Sequence, residues 1–433
     1  MLNSALFTDD FKTSPFWWDT LPGLQESEAP LPSQADVVII GSGFAGLNAA
    51  LEIGRAGRKT VLIDSETLGW GASSRNGGQV STSIKPSFSG LSARYGQAKA
   101  FAIRREGQHS LVWLKEFVAR EGIDCELVTT GRFHGAHNTK RYDALAKDIA
   151  NEPEGLETEA FMVPRAEQHR EISTDVYHGG VVYPHHASIN PAKLHRELLK
   201  RVGAAGVEFV PHCRALEVQR NDRGLLIRTS LGQIHSREAV IATNGYTGTV
   251  QPWLRRRVIP IGSYIIATEE IGQERVRELI PNNRTVGDTR SVIYYYRASP
   301  DQRRILFGGR VSLAETDPRA SAPKLYAELC RLLPQMTGTK VSHSWLGLVG
   351  YTFDTLPHLG KHDGVHYVMG FCGSGVGMAS YLGMRLGQQV IGLRSGVTAF
   401  DDRDFPSRPY YFGNPWFLNP AVFFYRQMDR LNR

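Results

Sequence analysis

Apolar positions fall along this chain in two rhythms. Val37 to Ile40 is an unbroken β-branched run, the texture of a parallel strand buried on both faces. Leu47, Ala50, Leu51, Ile53 and Gly54 then recur at helical spacing, and Val61-Leu62-Ile63 returns to strand. This pattern predicts a β-α-β unit over residues 35–64. Helical spacing reappears over 92–121, with Gly122 as its stop, and over about 140–152. A helix over 191–204 has Asn190 as cap and Pro191 at its first position. Two more are predicted over about 322–333 and from the Gly-rich turn at 370–378 to Leu393.

Strand texture marks 125–137, 176–183, 207–211, 215–219, 225–229 and 239–242. Longer runs rich in Tyr, Ile and Val at 258–268, 291–296 and 304–309 predict a second sheet, and 341–349 reads as strand again. Residues 1–33, with their Trp pair and prolines, read as an irregular lead-in wrapped on the surface. The expected class is α/β, a Rossmann-like nucleotide domain discontinuous in sequence beside a second domain with a mixed or antiparallel sheet. The expected division places the nucleotide domain at 34–120, 188–254 and 341–396, and the second domain at 121–187 and 255–340. Residues 397–433 form an extension whose role is not readable.

The candidate chemistry begins at Gly41-Ser-Gly43-Phe-Ala-Gly46, between the first strand and its helix. Gly41 permits the tight turn, Gly43 lets a pyrophosphate approach the backbone, and Gly46 lets helix and strand pack closely. The helix N-terminus offers N–H groups and a positive dipole end. Asp64, at the end of the second strand, is placed to accept from ribose hydroxyls, which disfavours NADP and leaves FAD or NAD. The following Gly69-to-Gln79 loop, dense in Gly, Ser and Asn, suits close backbone contact with a flat ligand. The turn at Thr243–Thr247 again places amides at a strand's carboxyl end.

Composition excludes other classes. The chain has 433 residues, 41% hydrophobic and 21% charged, as in an ordinary globular enzyme. Its net charge of +7 is spread along the chain, with one tight run at Arg255–Arg257, so no nucleic-acid footprint is expected. Cys125, Cys213, Cys330 and Cys372 are far apart and suggest neither zinc nor a disulfide framework. No apolar run approaches a bilayer span and no secretory pattern opens the chain, so a cytoplasmic location is expected. Adjacent His185 and His186 point to opposite faces of a strand, and no metal is expected.

The order of the β-α-β unit, the Gly-Ala-Ser-Ser-Arg-Asn-Gly-Gly-Gln loop, the Ala-Thr-Asn-Gly-Tyr turn and the late Gly-Phe-Cys-Gly-Ser-Gly-Val turn resembles the D-amino-acid oxidase-like FAD-dependent amine oxidoreductases, and within them the gamma-glutamylputrescine oxidase type. The resemblance runs from about Phe16 to about Gly396 and includes Tyr295-Tyr-Arg297 and Leu306-Phe-Gly-Gly309. It implies that Gly41, Gly43, Gly46 and Asp64 hold the ADP part of FAD. Ala72, Ser73, Arg75, Asn76, Gly77, Gly78 and Gln79 would run beside the pyrophosphate, ribityl chain and ring. Ala215 would meet the adenine, Asn244 and Gly245 would close over the nucleotide, and Gly373, Ser374, Gly375 and Val376 would meet the ring's pyrimidine edge. Sarcosine oxidases of this group hold flavin through a Cys where this chain has Val349, and Cys372 in the late turn reads as a packed thiol, so non-covalent FAD is expected.

In such a reaction hydride leaves the carbon beside nitrogen for flavin N5, and the imine is hydrolysed. No catalytic side chain is assigned. Tyr264, Tyr296 and Arg297 are the candidates for the substrate pocket, with Tyr294, Trp345 and 351–354 further ones. Packing in a sheet is an equal reading for the tyrosines, and a structural role an equal reading for Arg297. A gamma-glutamylated polyamine is the leading substrate, with oxygen or another electron acceptor. The alternatives are a small amino acid of sarcosine, glycine, proline or D-amino-acid type, and a non-catalytic flavin-binding subunit.

Overall fold

The structure, a computed structural model, describes residues 4–21, 29–82, 84–222, 224–310, 316–401 and 403–431. Two large sheets organise it. The first has eight strands. Its parallel centre pairs Gln34–Ile40 with Thr60–Ile63 on one side and with Gly232–Ile241 on the other. Glu208–Val210 extends it beyond Thr60–Ile63. Gly232–Ile241 pairs antiparallel with Gly224–Thr229 along its first half, then parallel with Val365–Met369 at its end. Val37, Val38 and Ile39 are fully buried, as a parallel sheet covered on both faces requires.

One face of this sheet is covered by helices Phe44–Arg55, Gln97–Arg120, Pro191–Ala204 and Gly375–Val390, which share one apolar core with it. Asn190 caps its helix as expected, its side chain accepting from the amides of Ala192 and Lys193, each at 3.2 Å. The helix expected over 92–121 is two, Phe88–Tyr95 and Gln97–Arg120. Gly96 separates them with φ of 80°, a conformation that breaks a right-handed helix.

The second sheet has nine strands. In spatial order they are Phe7–Lys12, Val341–Tyr351, Ile259–Thr268, Ile305–Gly309, Tyr294–Ala298, Thr285–Asp288, Arg132–Gly135, Gly180–Tyr183 and Phe161–Val163. Residues 7–12 thus correct the irregular lead-in: the run pairs parallel with Val341–Tyr351. Its alternation is short and interrupted by Asp9 and Asp10, which masks the strand in the sequence. One face of this sheet builds a core of its own from Phe133, Val286, Tyr296, Phe307 and Ile266 with helix Pro318–Leu332. The other face turns toward the 71–79 loop.

Candidate flavin site

Four turns meet at the carboxyl ends of the first sheet's parallel strands: 41–46, 64–66, 243–247 and 370–376. That edge is where open α/β sheets take their ligands. Gly41 has φ of 108°, which a side chain would strain. A Cβ on Gly46 would overlap the Gly41 carbonyl, and one on Gly43 would stand 3.0 Å from Ser73 Oγ. Each glycine therefore has a local steric cause.

Asp64 is held at this edge. Its Oδ2 accepts from the Ser42 amide at 2.8 Å and the Ser42 hydroxyl at 2.6 Å, and its Oδ1 from the Glu66 amide at 3.1 Å. A carboxylate has about four acceptor positions, so acceptor capacity remains. The Cys213 amide donates to the Asp64 carbonyl at 2.7 Å, which carries the chain toward Ala215 alongside the acid. His195 was missed by the sequence analysis. Burial pushes its pKa down, and its Nε2–H donates to the Ser42 carbonyl at 2.7 Å. Its ring fills the space a Cβ on Gly69 would need. No motif flags it, because it works from a separate helix.

The loop after Asp64 is braced by its own side chains. Ser73 Oγ accepts the Phe44 amide at 2.8 Å. Asn76 Nδ2 donates to the Ala72 and Ser73 carbonyls, and its Oδ1 accepts the Gly78 amide at 2.8 Å. Arg75 lies over the Trp18 and Trp70 rings and donates to the Trp70 and Leu346 carbonyls. Gln79 Nε2 reaches the carbonyls of Val286 and Tyr296, each at 3.3 Å. Two indoles fasten the loop: Trp17 Nε1, from the short helix Phe16–Asp19, donates to the Asn76 carbonyl at 2.8 Å, and Trp345 Nε1, from the second sheet, to the Arg75 carbonyl at 2.7 Å. The Tyr295 ring lies so close to Gly77 that a Cβ there would stand 2.9 Å from it.

Asn244, at φ of 44°, accepts the Gly370 amide at 2.9 Å through Oδ1. Gly245 packs on the backbone of Leu348 to Gly350. Gly373, at φ of 97°, and Gly375 have open space where a Cβ would be. Ser374 and Val376 flank Gly375 at the start of helix Gly375–Val390. This helix lies parallel to Phe44–Arg55, because a Cβ on Gly383 would overlap the Ala45 backbone and one on Gly387 would meet Ala49. Gly383 is the ninth residue of its helix and Ala45 the second of the other. The late helix therefore projects about 10 Å further at 1.5 Å per residue. Two positive helix ends thus lie on the same side, the late one about 10 Å further out.

The geometry separates the substrate-pocket candidates. Tyr264 and Tyr296 are fully buried in the core on the far face of the second sheet. Tyr264 hydrogen-bonds the backbone of Thr316, and the Tyr296 hydroxyl pairs with that of Tyr177 at 3.2 Å. Strand alternation puts them there with Tyr294. Arg297 faces the loop, yet its guanidinium is taken up by backbone: Nη1 donates to Gly78 and Ile189 carbonyls at 3.1 and 2.8 Å, and Nε to Ala298 at 2.9 Å. Of the two readings open for each residue, the contacts favour packing for the two tyrosines and a structural brace for Arg297. His185 and His186 part company too, the first outward to Glu159 at 2.8 Å and the second inward to Thr82.

The loop-facing side of the second sheet carries other polar groups. Arg132 is half-buried, and its Nη2 donates to His134 Nδ1 at 2.9 Å. Burial first, then the charges of Arg132, His186 and Lys85, hold His134 well below its ordinary pKa, so it is neutral. Lys85 lies over the Tyr351 ring with Nζ at 5.4 Å from its centre, and lines a small cleft with Ile84, Phe371, Cys372 and Ser374. Asp354 is held by Arg403 at 2.6 Å and His358 at 3.1 Å. Cys372 is buried, donates to the Gly370 carbonyl at 3.1 Å, and burial pushes its thiol up to about 11.

The family model described as FAD-dependent oxidoreductase (DAO) matches residues 36–389, a span holding every one of these turns. The chain belongs to this family of flavoenzymes. It is 29% identical over 406 residues to a probable oxidoreductase, OrdL, of Rhizobium meliloti, covering 90% of this chain and 93% of that one. It is 28% identical to the gamma-glutamylputrescine oxidoreductase of Escherichia coli, covering 87% of each. Among solved structures, glycine oxidase from Geobacillus kaustophilus superposes with a TM-score of 0.72 at 18% identity, over 88% of this chain and all of that one. L-proline dehydrogenase from P. horikoshii gives 0.70 at 15%, over 90% and 99%. These two establish the likeness of fold. The enzyme is an FAD-dependent oxidoreductase acting on amines, and the open space at Gly373 and Gly375 fits a dinucleotide lying along the edge.

Proposed function

We propose that the enzyme oxidises the CH–NH bond of an amine that carries a carboxylate at some distance, a gamma-glutamylated polyamine in the leading case. The bound flavin supplies the acceptor for the hydride, and water hydrolyses the resulting imine. Gly41, Gly43, Gly46 and Asp64 take the ADP part in this reading. Residues 72–79, Ala215, Asn244, Gly245 and 373–376 take the rest, non-covalently. The first-turn amides of helix Gly375–Val390 would favour negative charge on a flavin held there. The buried, unreactive Cys372 thiol supports the non-covalent assignment.

The observation that carries the substrate reading is the basic strip on the loop-facing side of the second sheet. Two cations act on His134 from that side, Arg132 and Lys85, while burial keeps His186 beside them neutral. Such a surface favours a substrate carboxylate. It also disfavours the ammonium form of an amine beside it, leaving the neutral form whose lone pair oxidation requires. The whole-length likeness to a gamma-glutamylputrescine oxidoreductase points the same way.

Anaerobic titration of the flavin absorbance with gamma-glutamylputrescine, putrescine, sarcosine, glycine and proline tests this. Bleaching by gamma-glutamylputrescine but not putrescine is expected, and Lys85→Met is expected to weaken it mainly through KM. Bleaching by putrescine alone, or by sarcosine or glycine in preference, would overturn the remote carboxylate. Admitting air then reports whether oxygen accepts the electrons.

A further inference from the structure

The C-terminal extension lies beyond the span matched by the family, and it presents its apolar side to solvent. Nine of the 29 residues from 405 to 433 are aromatic. Tyr410, Phe412, Trp416, Phe423, Phe424 and Tyr425 are each at least half exposed. The helix Leu418–Leu431 buries Val422 but leaves most of its large apolar side chains outside. Asp429 faces inward, accepting the amides of Ser291 at 3.0 Å and Val292 at 3.2 Å, while Phe423, Phe424 and Met428 face out. A water-facing surface helix places these the other way round.

Charge decides what could cover it. From 405 onward the sequence holds four arginines, one acid (Asp429) and no lysine. Asp429 is the residue turned inward onto backbone amides. Arg256, exposed, lies over the Phe412 ring at 4.6 Å, and Arg408, also exposed, over Phe353 at 5.1 Å. A second copy would set arginines against arginines. An anionic lipid surface instead offers phosphates to the arginines and an acyl boundary to the rings, the arrangement of interfacial helices and aromatic belts. No helix among the described residues is long and apolar enough to cross a membrane. We propose that this extension docks the enzyme on anionic membrane surfaces, lying in the interface through Phe412, Trp416, Phe423, Phe424 and Met428.

Flotation of the flavin-loaded enzyme with vesicles tests the proposal. The vesicles are phosphatidylcholine alone, or phosphatidylcholine with phosphatidylglycerol. Recovery with the anionic vesicles only is expected, weakened by added salt. The triple variant Phe423→Ser, Phe424→Ser, Met428→Ser should lower the bound fraction at least about tenfold while retaining flavin and amine oxidation. Arg256→Gln, which leaves the helix untouched, should lower it by a smaller factor. Failure to bind either vesicle, equal binding to both, or a dimer in light scattering that the triple variant dissolves would overturn the proposal. So would capture by an acidic protein with no vesicle binding.

Discussion

Arg297 decides between two readings of one buried cation. Replacement by Met keeps the volume and removes three donated hydrogen bonds, to Gly78, Ile189 and Ala298. Bonds from a charged donor to buried carbonyls contribute about 1.5–3 kcal/mol each. Part of that sum offsets the cost of keeping the guanidinium dry, a cost visible in its pKa, which burial pushes down to about 10. We take the net loss as about 2–4 kcal/mol, centred on the joint between the second sheet and the 77–79 turn. The Arg297→Met enzyme should therefore melt several degrees lower and lose flavin on dilution. The fraction that keeps flavin should show a KM within about threefold of the parent, since no substrate group is removed. Thermal melting, the flavin-to-protein absorbance ratio and steady-state kinetics on the loaded fraction measure all three. An unchanged midpoint and flavin content with a KM raised about a hundredfold or more would refute the reasoning and restore Arg297 as a carboxylate anchor.

Other perturbations follow from the geometry. Gly43→Val should cut bound FAD at least about tenfold while the apoprotein melts only slightly lower, because Gly43 has an ordinary φ of −72° and its Cβ needs Ser73 Oγ, 3.0 Å away, to give only a little; absorbance and calorimetry check this. Cys372→Ser should leave flavin content unchanged, and acid precipitation should release the flavin from parent and variant alike. Glu238 is held down to about 2, mainly by its hydrogen bond from His366 and also by Lys361. Its contribution is therefore complete above its ordinary 4.5 and lost as pH falls from there toward 2. Glu238→Gln should cost on the order of 1–2 kcal/mol at pH 7, after discounting for partial exposure, and much less in strong acid, read as denaturation midpoints across pH.

The nucleotide edge was legible because its constraints are local. Gly41 is required by its own positive φ and Gly46 by the Gly41 carbonyl five residues back, and Val37–Ile40 advertises a strand covered on both faces. Asn190 could be read as a cap for the same reason. What stayed hidden depends on distant segments. Alternation in Tyr294–Ala298 says that Tyr295 and Tyr296 face opposite ways, but not which face meets the 71–79 loop. That choice is made by Trp17 and Trp345, far away in the chain. His195 and Arg132 carry no motif for the same reason. The aromatic extension was visible as composition, and only the fold shows which side of its helix is turned out.

The parallel packing of Gly383 and Gly387 on Ala45 and Ala49 also makes the protein a gauge of ligand length. The two helix ends are set by one rigid interhelical register, and a slip of one turn would displace them by about 5.4 Å. A dinucleotide that spans both ends binds as a bivalent ligand, its second contact made at the high effective concentration that the first creates. A flavin mononucleotide or an adenosine diphosphate engages one end and forgoes that advantage. In the proposed placement of FAD, selectivity for the whole cofactor over its halves would rest on this register, set by four small residues packed between the two helices.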